Sequence, residues 1–264
     1  PLCTPWDITS LKVLEEYGME AYKVSSADLT NSELLNALVK TGKTLICSTG
    51  MSTEVEIKKT VKFFHDNKTS FLLLHRNSTY PTPFRDVNLR YLSRLREISG
   101  NPVGYSGHER GFITPVVAVG LGARVVEKHF TIDKNMEGND HNVSLLPNEF
   151  LEMVKQIRIA EEVLGNDGAR LITQGESINR EILAKSLVIN QDLSKGKKIS
   201  REMIEIKSPG QGLQPYYLEE IVGKIAKRDF VSGDYFFESD IKDTPILARN
   251  YSFKRLFGIP VRYH

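Results

Sequence analysis

Residues 102–130 read PVGYSGHERGFITPVVAVGLGARVVEKHF. Two short apolar runs stand in this stretch, Pro102 to Ser106 and Val125 to Phe130. His108 follows the first run and His129 lies in the second. Runs this short, separated by enough chain for a crossover helix, read as neighbouring parallel strands. Neighbouring strand ends lie about 5 Å apart, so the two imidazoles can share one ion. Imidazole suits Mn, Fe, Zn or Co, and two protein ligands leave positions open for water and a substrate oxygen. A single histidine at a strand end is more often structural. The pair, each member with a carboxylate nearby, makes a metal site the sharper reading.

Working outward, the same rhythm fills the chain from Pro1 to about Gly165. Further strands are expected at Leu2 to Thr4, Ala21 to Val24, Thr44 to Ser48 and Phe71 to His75. Helical patterns lie between them. One starts at the N-cap candidate Thr9 and puts Leu11, Leu14 and Tyr17 on one face. Another starts near Asn31 with Leu34, Leu35, Leu38 and Val39. A third starts near Ser52, with Glu56 as a capping-box partner. Strand and helix alternate at intervals of roughly 20 to 30 residues, which implies a parallel sheet with crossover helices.

Two architectures fit this alternation: an open doubly wound sheet and a (β/α)₈ TIM barrel. No G-x-G-x-x-G or G-x-x-x-x-G-K-[ST] motif follows a strand, so the strongest signal for a nucleotide-binding open sheet is missing. Instead polar residues gather at successive strand ends. Lys23, Ser25, Ser26 and Asp28 follow one strand. Ser48, Thr49 and Gly50 follow the next, then His75, Asn77, Ser78 and Tyr80. Ser106 and His108, and then Glu127 and His129, complete the series. A barrel assembles its active site from several strand ends in this way. The expected fold class is therefore α/β, a TIM barrel. Six strands are counted, so a closed barrel would lack its first two βα units in this chain.

Composition narrows the partners. The chain has 264 residues, a net charge of +2, 40% hydrophobic and 26% charged residues, as in an ordinary globular protein. Basic residues are scattered, which argues against a nucleic-acid or membrane surface. Two cysteines, Cys3 and Cys47, make no disulfide framework and no CxxC spacing. No apolar run reaches the ~20 residues of a membrane span, and no signal peptide is visible. The expected location is the cytoplasm.

Residues 147 to 164 read as one long helix, ended by Gly165-Asn166-Asp167-Gly168. From 184 to 241 the strands become short and turns frequent, as at Lys195-Gly196, Pro209-Gly210-Gln211-Gly212 and Ser232-Gly233-Asp234, which predicts a small β-rich domain. The expected organisation is a barrel portion at 1–165, a linker at 166–183, the small domain at 184–243, and a tail at 244–264 that leads into a further domain.

Some residues invite two readings. Lys23 ends its strand inside an apolar run, and a buried lysine needs an anionic partner. It is either ion-paired with Asp28 or Glu127, or a clamp on a phosphate or carboxylate with Ser26, Ser48 and Ser106 as hydroxyl donors. Tyr80-Pro81-Thr82-Pro83 is a structural bend or a wall against a sugar. Asp140-His141 is plain loop polarity, or a carboxylate and imidazole delivered to the site. His65 and His264 take the structural reading. The residues by themselves reach as far as a metal-assisted barrel enzyme acting on an anionic small molecule.

Taken together, AYKVSSADLTN, LICSTGM, LLHRNSTYPTP, VGYSGHERG, VVEKHFTIDK, EGNDHNVSLLP and SPGQG, in this order, resemble the sialic acid synthase family across nearly the whole chain. That family joins a (β/α)₈ barrel to a small SAF, or antifreeze-like, domain. The resemblance implies condensation of phosphoenolpyruvate with an N-acylated hexosamine aldehyde, N-acetylmannosamine-like, giving a sialic or related nonulosonic acid and phosphate. It implies a divalent metal, Mn²⁺ with Mg²⁺ or Co²⁺ as alternatives, on His108 and His129. It implies Lys23, Ser26, Ser48, Asn77, Ser78 and Ser106 as phosphoenolpyruvate contacts. It turns Glu127, Asp28, Tyr80 and Asp140 toward the sugar or its proton transfers.

This sequence also departs from the family pattern. Bacterial members often carry Asn where Ser78 stands, and Arg where Ser208 opens the SPGQG loop. The family's SAF domain usually covers a partner's active site, which implies a swapped homodimer. Two rival readings are another metal-assisted aldol-type barrel enzyme and a non-catalytic carbohydrate-binding fragment.

Overall fold

The computed structural model describes residues 2–242. It contains two compact units, Pro1–Asp167 and a second from Gly168 onward. The tail expected from 244 lies outside the described residues.

The first unit is built on five parallel strands: β1 (Ala21–Val24), β2 (Thr44–Ser48), β3 (Phe71–His75), β4 (Val103–Gly107) and β5 (Val126–Lys128), paired in sequence order. Helices α1 (Ile8–Glu16), α2 (Ser32–Lys40), α3 (Glu54–Asp66), α4 (Phe84–Val87), α5 (Tyr91–Ser99) and α6 (Ile113–Gly120) lie between the strands or before β1. The long helix α7 (Pro147–Leu164) follows β5. The six expected strands are thus five. Leu2 to Thr4 makes only one bridge, Cys3 to Tyr22, and Val125 to Phe130 keeps three strand residues.

Local chemistry fixes the helix starts. α1 begins two residues earlier than expected, because Asp7 accepts from the Ser10 amide and outcompetes Thr9 as the cap. α2 starts at Asn31 as read from the sequence. α3 is capped by Thr53, one residue beyond Ser52, in a capping box with Glu56.

The pleat sorts the side chains. Tyr22, Val24, Leu45, Cys47, Phe71, Leu73, Val103 and Tyr105 alternate along their strands and join one core with Leu34, Leu38, Ile57, Phe64, Leu92 and Leu95 of the helices. The opposite face carries Lys23, Ser48, Arg76, Ser106 and Glu127, each in step with that alternation. His75 falls on the core-facing set: its ring donates from Nε2 to the Val87 carbonyl at 2.6 Å. Although His75 ends a strand, it therefore points away from the polar face.

The second unit pairs β6 (Ser186–Ile189) antiparallel with β7 (Ile204–Lys207), and adds bridges at Val188–Tyr235, Leu193–Phe230 and Lys198–Ile225. Its own core gathers Leu187, Ile189, Ile204, Ile221, Phe230 and Phe236. The stretch expected as a linker holds a ten-residue helix, α8 (Gln174–Leu183), started by a Thr173–Glu176 capping box. The Thr173–Glu176 capping box and the i,i+4 pair Ile178 and Ile182 were both legible in the sequence, although α8 buries none of its residues. Ser208 accepts from Lys185 Nζ at 2.8 Å in the SPGQG loop.

Candidate active site

Parallel register decides which side chains meet. Ser106 is paired with Glu127 and Gly107 with Lys128, so the next residues on the two chains are His108 and His129. Their ring centroids stand 5.2 Å apart. Tyr80, carried by the turn after β3, stacks on His108 at 3.9 Å and meets His129 edge-on at 6.0 Å. That turn is tied to β4 through the Thr82 amide, which donates to the His108 carbonyl at 3.2 Å.

His108 is buried and donates from Nδ1 to the Asn77 carbonyl at 2.8 Å. The bond fixes the tautomer, so Nε2 carries a lone pair. Nε2 is buried and has no partner. Burial, helped by the nearby Arg76 charge, holds the His108 pKa down to about 3. Burial also lowers His129, while the Asp140 carboxylate, 3.9 Å from Nδ1, pulls the other way. Both imidazoles are neutral at neutral pH, the form that binds metal. Among the described residues no group of three or more His, Cys, Asp or Glu is arranged to hold an ion. Two neutral imidazoles, one with an unbonded Nε2, are a donor set of the kind that suits a divalent ion with open positions.

A cavity of about 490 Å³ opens beside this pair. It is lined by Lys23, Ser26, Ser78, Tyr80, Ser106, Glu127, His129 and Asp140 from the expected set, and by Arg76, Trp6 and Met51 besides. Lys23 is buried and donates to Ser48 Oγ at 2.7 Å and to the Val24 carbonyl at 3.0 Å. Burial lowers its pKa against the pull of Glu127, whose carboxylate lies 3.7 Å away. The partner is thus Glu127, not Asp28, of the two considered. Glu127 also accepts from Ser106 Oγ at 2.7 Å.

Gly50 brings two serines together. Its amide donates to Ser26 Oγ at 3.1 Å, and a Cβ there would sit 2.2 Å from Ser78 Oγ and 2.8 Å from Ser26 Oγ. Only glycine lets both hydroxyls reach the backbone at this point. Ser78 Oγ, like His108 Nε2, is buried without a partner.

The remaining expected residues, His108, Ser48, Asn77 and Asp28, stand outside the cavity lining, His108 buried behind it. Ser48 sits beneath Lys23 as its acceptor. Asn77 turns its side chain away, donating to the Asp86 carbonyl at 3.1 Å and accepting from the Thr79 amide at 3.0 Å. Asp28 accepts from Ser25 Oγ at 2.7 Å and from Asn31 Nδ2 at 3.0 Å, bracing the turn after β1.

Two features were not read from the sequence. Arg76 lines the cavity, and the signal was present: Leu74 and Arg76 share the period of two that turns Ser78 inward. Behind the histidines, Lys128 and Glu109 form an ion pair at 3.0 Å whose side chains have no exposed surface. Tyr105 Oη also donates to Glu109. Nothing in the spacing of Glu109 and Lys128 announces this pair; it follows from strand register.

A parallel α/β half-barrel with polar side chains converging at its C-terminal strand ends defines a barrel enzyme with its site at that rim. The NeuB family model matches residues 1–169, and the SAF domain model matches 184–242. The chain belongs to the NeuB family. It is 38% identical to the N,N'-diacetyllegionaminic acid synthase of Campylobacter jejuni, over 87% of this chain and 69% of that protein. It is 37% identical to a pseudaminic acid synthase of the same species, over 90% of this chain and 69% of that one. Among solved structures, the N-acetylneuraminic acid synthetase of Leptospira borgpetersenii superposes with a TM-score of 0.63 at 34% identity. That match covers 67% of this chain and 61% of the Leptospira chain, so the present chain spans less than two thirds of that structure.

Proposed function

We propose that the protein condenses phosphoenolpyruvate with the open-chain aldehyde of an N-acylated hexosamine, giving a sialic or related nonulosonic acid and inorganic phosphate. In the reaction, C3 of phosphoenolpyruvate bonds to the aldehyde carbon, whose oxygen takes a proton. Water adds at C2, and phosphate leaves with cleavage of its C–O bond. Membership of a family whose relatives are named legionaminic and pseudaminic acid synthases supports the reading. The observation that carries it at residue level is a set of unbonded polar atoms. Of five buried side-chain atoms without a partner among the described residues, Ser78 Oγ and His108 Nε2 belong to expected site residues and Arg76 Nε to their neighbour. Buried polar atoms without a hydrogen-bond partner, clustered at one place, are what a site completed by a ligand, an ion or water leaves.

Each group then has a task. Lys23, held by Ser48, and the hydroxyls of Ser26, Ser78 and Ser106 bind phosphoenolpyruvate; Asn77 supports them through its carbonyl bond to His108. Glu127, between Lys23 and Ser106, moves protons at the reacting oxygens. Asp140 orients water or His129, and Tyr80 walls the sugar. Asp28 acts from behind, by bracing the turn that carries Ser26. A divalent ion on His108 and His129, Mn²⁺ in our reading, would supply Lewis acidity toward the aldehyde oxygen. The enzyme works in the cytoplasm as a homodimer whose SAF domain covers the partner's site. No described helix is long and apolar enough to cross a membrane.

The test is His129→Ala. The variant is expected to lose bound metal and turnover together while keeping its fold by circular dichroism. Metal content equal to the parent's would refute this site.

A further inference from the structure

Arg76 is a charged side chain with little to do in the protein's own structure. It stands at the mouth-facing end of β3, two residues beyond Leu74, and its side chain is only 14% exposed. One nitrogen, Nη2, donates to Tyr80 Oη at 2.6 Å. Nη1 approaches Glu127 no closer than 3.8 Å, beyond hydrogen-bond reach. Nε is buried with no partner. Two of the three guanidinium nitrogens are therefore left for something else.

The surroundings say what that is. Arg76 lines the same cavity as Lys23, Ser26 and Ser78. Lys23 and Arg76 both lie near 3.7–3.8 Å from the single carboxylate of Glu127. Glu127 is thus shared between two cations, and the cavity's other carboxylate, Asp140, lies beside His129. Beside the two cations stands Ser78 Oγ, a second donor without an acceptor. A guanidinium with a free edge, an ammonium and an unbonded hydroxyl are the donors that recognise an oxyanion.

We propose that Arg76 is an anion-binding residue that closes, with Lys23 and Ser78, on the phosphate or carboxylate of the three-carbon substrate. The choice of phosphoenolpyruvate rests on the function proposed above; the oxyanion site itself rests on Arg76 and its neighbours. Its bond to Tyr80 also couples this anion to the ring stacked on His108, so filling the site steadies the wall of the metal pair.

The experiment is calorimetric titration of the protein, Arg76→Lys and Arg76→Met with phosphoenolpyruvate, inorganic phosphate and pyruvate, alongside thermal unfolding of each. Arg76→Met is expected to weaken phosphoenolpyruvate binding by about tenfold or more, and Arg76→Lys by less, with unfolding temperatures close to the parent's. A matching loss for phosphate alone assigns Arg76 to the phosphate, and a loss for pyruvate alone assigns it to the carboxylate. If Arg76→Met fails to fold, Arg76→Lys carries the test: weaker binding by about threefold at an unchanged unfolding temperature supports the site. Binding of all three probes within twofold of the parent by a folded variant overturns it, as does a parent that binds none of them. A parent that binds phosphate or pyruvate through Arg76 but not phosphoenolpyruvate keeps the anion site and refutes the substrate.

Discussion

Lys128 shows how a buried side chain can hold the candidate site residues in place. It neighbours His129 in sequence, as Glu109 neighbours His108, and the two charges meet where neither side chain has exposed surface. Burial lowers the Lys128 pKa while Glu109 opposes the shift. The pair thus clamps the two histidine-bearing chain segments together behind the site. A Cβ on Gly107 would fall 2.5 Å from Glu109 Oε2, so glycine is what lets the carboxylate fold back under its own strand end. Lys128→Met strands a carboxylate in the interior. The expected loss is ~3–5 kcal/mol of unfolding free energy, much of it recovered by adding Glu109→Gln. Denaturant titration reads this directly; a loss below ~1 kcal/mol would mean that solvent reaches the pair.

At the level of elements, the sheet sorts chemistry by parity. Residues in step with Lys23, Ser48, Arg76, Ser106 and Glu127 build the site, and those out of step build the core. This is why the lining of the candidate site was largely legible: strand ends announced themselves by polar residues, and the parity assigned a face. It is also why His75 misleads. It ends β3 like a site residue, yet it bonds the carbonyl of Val87 in α4 and packs by Tyr91. Burial lowers its pKa, with that carbonyl opposing. Below the ordinary histidine pKa of ~6.5 the unfolded chain takes up a proton that folded His75 resists. The β3–α4 contact is therefore fully stabilising above pH ~6.5 and loses stability as the pH falls toward the lowered folded value. His75→Gln should flatten the acid side of the stability profile relative to the parent. An unchanged slope would show that His75 titrates normally in the fold. What the sequence concealed were features set by register rather than pattern. The Lys128–Glu109 clamp is one; the bonds from Asp28 to Ser25 and Asn31 are instead local, three residues away on either side in a single turn. Helix α8 was legible from its Thr173–Glu176 capping box and the spacing of Ile178 and Ile182, although it falls in the stretch expected as a linker.

Across the whole molecule, the half-barrel gathers His108, His129 and the polar cavity residues on one rim, and a small β unit with its own core follows in the chain. The named relatives include both legionaminic and pseudaminic acid synthases, so the sugar is the variable to test. The proposed reaction consumes phosphoenolpyruvate and an N-acyl sugar together. Its most direct measurement is release of inorganic phosphate by the protein at its full natural length, with Mn²⁺ and a panel running from N-acetylmannosamine to di-N-acetylated bacillosamine-type sugars. Phosphate should appear only when phosphoenolpyruvate and one of these sugars are both present, one per nonulosonic acid formed. Phosphate released equally without any sugar, or condensation of pyruvate in place of phosphoenolpyruvate, would contradict the account.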